Sequence, residues 1–117
     1  MATGFVVFGH GSSVESANDA VRTVASGAAA AGNWDFWETA FLEAAPLLPA
    51  AVEKLLAAGV TDILVLPYFL TLGIHLKRDL PAIADKLAAE HGVSIRIAPP
   101  LDGHPALSQI LVERARA

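Results

Sequence analysis

Cysteine is absent from the 117 residues, which excludes disulfides, iron–sulfur ligation and thiolate zinc sites. Any metal has to be held by nitrogen and oxygen. Positive charge is scarce as well. Eight Lys and Arg are scattered among twelve Asp and Glu, for a formal net charge of −4. Neutralising phosphates needs clustered cations, so the composition argues against a nucleic-acid partner. No apolar run approaches the roughly 20 residues of a membrane span. Met1-Ala2-Thr3 leads straight into a strand-like run, without the basic start and apolar core of a secretory leader. A soluble, cytoplasmic protein with no membrane partner is expected. Charged residues are also few, 17% against 54% hydrophobic, which excludes intrinsic disorder and predicts well-covered strands and helices. The length predicts one domain over residues 1–117. Such a domain is small for enclosing a bulky ligand, so a partner subunit is expected to finish any large pocket.

Apolar runs alternate with helix-period segments, the pattern of an α/β domain with a mainly parallel sheet. The first strand is expected over about Gly4–Phe8. A helix follows, with Ala17, Ala20, Val21, Val24, Ala25 and Ala28 at three- and four-residue spacing and Gly32 as its stop. A second strand runs from Trp34 or Phe36 to Leu42. The helix after it, Leu47–Ala58, turns Leu48, Ala51, Val52, Leu55 and Leu56 to one side, with Pro49 in the first turn and Gly59 as its end. The third strand, from Asp62 to Leu66 or Tyr68, is almost wholly apolar, as a strand covered on both faces should be. A third helix is expected to begin near Asp79, acting as cap, and to end at Gly92. Val93–Ile97 alternates as an edge strand does, and a last helix from Pro105 points Leu107, Ile110 and Leu111 inward. Right-handed crossovers give a flavodoxin-like, or Rossmann-like, three-layer fold: a four-stranded parallel sheet in order 2-1-3-4 with helices on both faces. Strands one and three are then neighbours, and ligands of such folds bind outside their carboxyl ends.

That rim carries the residues with chemistry. His10, in Gly9-His10-Gly11-Ser12-Ser13, follows the apolar run Phe5–Phe8, and His75 follows Ile63–Leu66. Two neutral imidazoles from two loops at one sheet edge can aim nitrogen ligands into a single cleft. Alternatively, the first motif is a plain strand-to-helix turn, with Ser12 or Ser13 as helix cap. Leu70, Leu72, Ile74 and Leu76 surround His75 in a stretch too apolar for a solvated loop. They suit a wall for a flat hydrophobic ligand, or else a buried connection or partner interface with His75 as a satisfied core residue. Glu43, closing the second strand, is a candidate third ligand or proton acceptor, or simply an anion favoured ahead of a helix. His91, in a last helical turn, and His104, ahead of Pro105, fit structural roles. Lys77, Arg78 and Asp79 fit a solvated helix start, although the two cations could meet substrate carboxylates. Ser12 with a histidine base also allows a serine hydrolase, but Gly-His-Gly-Ser-Ser is not the Gly-x-Ser-x-Gly elbow and no acid is placed to orient the base.

The motifs Val7-Phe8-Gly9-His10-Gly11-Ser12, Phe41-Leu42-Glu43-Ala44-Ala45-Pro46, Pro67–His75 with Asp79 and Pro81 beyond it, and Ala98-Pro99-Pro100-Leu101 span nearly the whole chain. In them the chain resembles the small class II tetrapyrrole chelatases, the sirohydrochlorin cobaltochelatase and ferrochelatase group. The resemblance implies insertion of divalent cobalt, iron or nickel, as substrate and without an organic cofactor, into sirohydrochlorin for cobalamin, sirohaem or nickel-tetrapyrrole synthesis. It implies His10 and His75 as metal-binding and catalytic residues and Glu43 as an assisting acid. Ser12, Ser13, Leu72 and Gly73 are expected to contact the tetrapyrrole. Some relatives are twice as long, with two such domains around one cleft, so a homodimer is implied for a chain of this length. Ser13-Val14-Glu15-Ser16 departs from the Arg-Asp-Pro often found after the first motif, and the chain has no His-rich tract. Both departures bear on metal choice more than on reaction. A non-catalytic tetrapyrrole or metal carrier of the same fold is the alternative, separated from an enzyme by turnover.

Overall fold

Period-two apolar segments produce four parallel strands in a computed structural model that describes residues 2–117. The elements are β1 (Thr3–Gly9), α1 (Glu15–Gly32), β2 (Phe36–Phe41), α2 (Leu48–Ala57), β3 (Asp62–Pro67), α3 (Ile74–His91), β4 (Ser94–Ile97) and α4 (Pro105–Ala115). The strands lie in the order β2-β1-β3-β4. β1 is central, pairing Gly4–Gly9 with Phe36–Phe41 on one side and Thr3–Phe8 with Asp62–Pro67 on the other. This is the architecture expected from the crossover rule.

Alternation sorts the core. Val6 and Phe8 of β1 and Ile63 and Val65 of β3 face α2, through Leu48, Ala51, Val52 and Leu55, and α3, through Leu80 and Leu87. Each of these large side chains contributes roughly 1.5–3 kcal/mol by leaving water. Val7 and Leu66 point the other way, where Val24, Ala25 and Ala28 of α1 lie. That second layer is thinner. β3 accordingly buries Ile63, Val65 and Pro67 but leaves Leu64 and Leu66 half-exposed, so it is covered fully on one face only.

Four further details differ from expectation, each for a physical reason. α3 begins at Ile74, five residues ahead of Asp79, with Gly73 in extended conformation as its N-cap. Leu76 packs on the core and Leu80 is fully buried, four residues on, so the 3.6-residue period already operates there and carries the helix past Pro81. Asp79 is not a cap; it pairs with Arg78 at 2.9 Å. In α1 the buried positions are Asn18, Ala25 and Ala29, while Ala17, Ala20 and Val24 are exposed. Alanine on every side sets the phase weakly, and the polar Asn18 holds it. α1 stops at Asn33, which takes the left-handed conformation (φ 54°), and not by a left-handed Gly32. Gly32 is small for another reason: a Cβ there would stand 2.5 Å from Trp34 Nε1. Finally, α4 has no buried residue, with Ile110 45% and Leu111 71% exposed, because its apolar side is covered only at Leu107, which is half-buried. Among the described residues, no helix is long and apolar enough to cross a membrane.

Candidate functional site at the carboxyl rim of the sheet

β1 and β2 continue to pair beyond their ends, and this brings the first two site residues together. Leu42 N–H donates to the Gly9 carbonyl at 3.0 Å and Glu43 N–H donates to the His10 carbonyl at 2.8 Å. The side chains then meet: His10 Nε2 lies 3.5 Å from Glu43 Oε2, with the two side chains 59% and 66% exposed. Gly11 makes the bend possible. Its φ is +88°, and a Cβ there would come within 2.9 Å of Ala44 Cβ and Phe41 Cβ. Only glycine fits both the conformation and the space.

The tautomer of His10 follows from its partners. Nδ1 stands 3.0 Å from the Gly11 carbonyl oxygen, which can only accept, so Nδ1 carries the proton in the neutral ring. Nε2 is left with a lone pair facing a carboxylate. Two acceptors at that distance repel unless a cation or a proton lies between them. With a proton between them the pair is an exposed ion pair; without it, the two groups can offer two donors to a hard or borderline cation.

A buried amide supports this loop, and no sequence pattern marks it. Asn18 is 2% exposed, accepts the Ser12 N–H at Oδ1 and donates from Nδ2 to the Ser12 carbonyl, each at 2.9 Å. Nδ2 also reaches Glu15 Oε2 at 3.3 Å, which settles which end of the amide is nitrogen. Arg22 bonds Glu15 and Asp19 and lies over the Phe41 ring, 5.5 Å from its centroid. The Arg22 hydrogen bond, then that of Asn18, holds the Glu15 carboxyl below the usual range. Ser12 Oγ accepts from Val14 N–H at 3.0 Å, an Ser/Thr turn ahead of α1 rather than a cap bond inside it. With its backbone clasped by Asn18, Ser12 has only its hydroxyl proton left for a ligand. Ser13 is exposed. Neither serine hydrogen-bonds a histidine among the described residues, so no hydrolase dyad is assembled.

His75 occupies the same rim by another route. β3 hands over to its loop where Tyr68 N–H donates to the Phe8 carbonyl at 2.7 Å, and Phe69 packs its ring 5.9 Å from that of Phe8. The chain then reaches Leu72, half-buried, and Gly73, exposed, before α3 starts. His75 is thus in the first helical turn, not on a loop, and it is exposed. Of the expected apolar wall, Leu70 (66%) and Ile74 (83%) stand out into solvent, while Leu76 turns back to the core. The first turn of α3 has no acidic residue and no side-chain cap; Lys77 and Arg78 follow, so the sign of the charge there is positive. Among the described residues, no three His, Asp or Glu stand close enough to hold a metal ion together. The structure joins His10 to Glu43 and leaves His75 apart. His104 caps α4, its Nδ1 accepting from Ala106 N–H at 3.0 Å, and His91 ends α3, the structural places expected for both.

Beside Leu42 a mainly apolar groove of about 370 Å³ opens, walled by Leu47, Leu48 and Pro49 on one side and Ile83 and Leu87 on the other. Neither rim histidine lines it. The histidines stand on an open edge, as in a half-built cleft.

A four-stranded parallel sheet in this order, with a histidine and a carboxylate converging at its switch point, defines an α/β protein of the doubly wound class. The CbiX family model matches residues 4–117, and the chain belongs to the CbiX family. A sirohydrochlorin cobaltochelatase of Methanopyrus kandleri is 27% identical, covering 95% of this chain and 93% of that protein. A sirohydrochlorin cobaltochelatase of Priestia megaterium is 31% identical over 97% of this chain but only 37% of its own length. Among solved structures, a CbiX protein from Marinobacter aquaeolei VT8 superposes with a TM-score of 0.84 at 30% identity, covering 97% of this chain and 94% of that one. The sirohydrochlorin chelatase SirB of Bacillus subtilis subspecies spizizenii, in complex with cobalt, gives a TM-score of 0.90 at 24% identity, covering 99% of this chain and 50% of that one. The fold is shared throughout; the length is not.

Proposed function

We propose that this protein is a metal chelatase that inserts divalent cobalt, or iron or nickel, into sirohydrochlorin, with His10 and His75 as metal-binding and proton-accepting residues and Glu43 assisting. The observation that carries this reading is His10 Nε2 standing 3.5 Å from Glu43 Oε2 on an exposed rim. Family membership and the names of the relatives support it.

The chemistry follows from the donors. Imidazole and carboxylate bind cobalt, iron(II) and nickel well enough to orient the ion, yet two protein donors leave most coordination positions to water and to incoming pyrrole nitrogens. The macrocycle would rest on the exposed Leu70 and Ile74. Its carboxylates would meet Ser13, the Ser12 hydroxyl, the uncapped N–H groups around Gly73 and the cations Lys77 and Arg78. As the ion forms bonds to the ring nitrogens, two pyrrole N–H groups lose their protons. His10 Nε2, freed from the ion, accepts one and His75 or Glu43 the other, so charge and protons balance.

A second copy would complete the cleft. Three features support a homodimer: the open edge bearing the histidines, the largely uncovered apolar side of α4, and the twofold greater length of SirB. An absorbance assay of sirohydrochlorin with each metal in turn, alongside sedimentation to give the mass, tests both parts. Stoichiometric tetrapyrrole binding without turnover would favour a carrier instead, and full activity from a monomer would overturn the dimer.

A further inference from the structure

We infer that Asn18 is a positioning residue for His10, acting through a single peptide plane. This rests on the metal-binding role proposed for His10, but its structural content stands apart from it. The Ser12 N–H that Asn18 Oδ1 accepts and the Gly11 carbonyl that takes the His10 Nδ1 proton belong to the same peptide unit. That unit is planar and trans, so its N–H and C=O point in opposite directions and turn together. Fixing the N–H fixes the carbonyl. A chain of hydrogen bonds therefore runs from the buried Asn18 amide, across the Gly11–Ser12 peptide, to the imidazole, each bond polarising the next.

The amide is anchored at both ends. Nδ2 bonds the Ser12 carbonyl at 2.9 Å, so one side chain grips both polar groups of Ser12, and the Glu15 carboxylate holds the amide against flipping. Because Asn18 is 2% exposed, water does not compete for these bonds. Without the clasp the Gly11–Ser12 peptide could rotate, for Gly11 is the residue whose backbone tolerates the most conformations. His10 would then lose the acceptor that keeps its proton on Nδ1, and Nε2 would no longer present a lone pair to Glu43. Asparagine is the side chain that does this here. Alanine offers neither bond, and aspartate keeps the acceptor but sets a second oxygen against the Ser12 carbonyl and Glu15.

The experiment has two arms. In the first, nitrogen-15 NMR of the imidazoles, without metal or tetrapyrrole and at a pH where they are neutral, reads the tautomer. Wild-type His10 is expected as the Nδ1–H form, Asn18→Ala as a mixture and Asn18→Asp in between, with the His75 signals unmoved. In the second, cobalt insertion into sirohydrochlorin is expected to lose about 10- to 100-fold in kcat in Asn18→Ala, as misplacement by about 1 Å does, with little change in the KM for sirohydrochlorin. Circular dichroism establishes that each variant is folded. A folded Asn18→Ala with wild-type tautomer and kcat overturns the inference. If that variant does not fold, the same result in Asn18→Leu, which keeps the volume and offers neither bond, overturns it, and an Nε2–H tautomer in the wild type does so without any variant. Should the wild type fail to insert metal while the tautomer still follows Asn18, the chelatase reading falls and the positioning role stands.

Discussion

Replacing Gly11 with alanine loads two penalties onto one position. At φ +88° an L-residue sits in left-handed space, at roughly 1–2 kcal/mol. The new methyl also meets Ala44 Cβ and Phe41 Cβ at 2.9 Å and the Ala44 backbone nitrogen at 3.0 Å. None of these is the far end of a flexible side chain, so the neighbours have to move, and overpacking of this kind costs about 1–3 kcal/mol. Together the two give about 2–5 kcal/mol, less a few tenths for the stiffer unfolded chain. For a domain of this size, at about 4 °C per kcal/mol, Tm should fall by about 8–20 °C. Ala44 adjoins Glu43, so relief of the clash also draws the carboxylate away from His10, and insertion activity measured well below the new Tm should fall too. Gly27 is the control. It lies inside α1 with nothing within 4 Å of a built Cβ, and Gly27→Ala should raise stability by about 0.5–1 kcal/mol. Calorimetry decides the matter: a Gly11→Ala protein melting within about 2 °C of wild type refutes the packing argument for this loop.

His10→Ala and His75→Ala should each leave the circular dichroism spectrum and Tm nearly unchanged, both side chains being exposed, while insertion falls by at least about 100-fold; ordinary activity in either removes that histidine from the mechanism. Glu43→Gln, which keeps shape but removes charge, should lower cobalt insertion by about 10²-fold or more without moving Tm, and wild-type rates would reduce Glu43 to a helix-flanking anion. At the opposite edge, Arg96 Nε and Nη2 grip Asp62 at 3.2 and 3.0 Å, and this bond, then the guanidinium charge, holds the Asp62 carboxyl below its usual range. A depressed carboxyl stabilises the fold above its unfolded pKa and stops doing so as pH falls through its folded one. The Tm deficit of Arg96→Ala should therefore be full at neutral pH and close in strong acid, and a deficit independent of pH would count against the pair.

The sheet was legible because its signals were local and mutually consistent: apolar runs for Phe5–Phe8 and Ile63–Leu66, left-handed glycines Gly59 and Gly92 after two helices, and a handed crossover to order the strands. What escaped was set by tertiary packing. Pro81 and Asp79 look like a helix start in isolation, and only Leu80 entering the core shows that the turns before them are helical. The inward look of Leu107, Ile110 and Leu111 needed a surface to face, and among the described residues only Leu107 is partly covered. Asn18 was invisible for the converse reason. A polar residue on an alanine-rich helix reads as solvent-facing until its partner, the backbone of Ser12, is known.

The same contrast bears on how the candidate site could work. His10 and Glu43 are fixed to each other by backbone pairing beyond the strands, whereas His75 rides on the first turn of a separate helix. A complete set of three or four converging donors would bind a divalent ion tightly and keep it, as structural metal sites do. Delivery asks for less: a rigid pair that aligns the ion, and a further imidazole placed where it can take a proton or a coordination position as the ion leaves. In one chain the pair is present and His75 stands off from it. Under the chelatase reading proposed above, this arrangement would suit a transfer site, with His75 acting on an ion or a ring held between it and the His10–Glu43 pair.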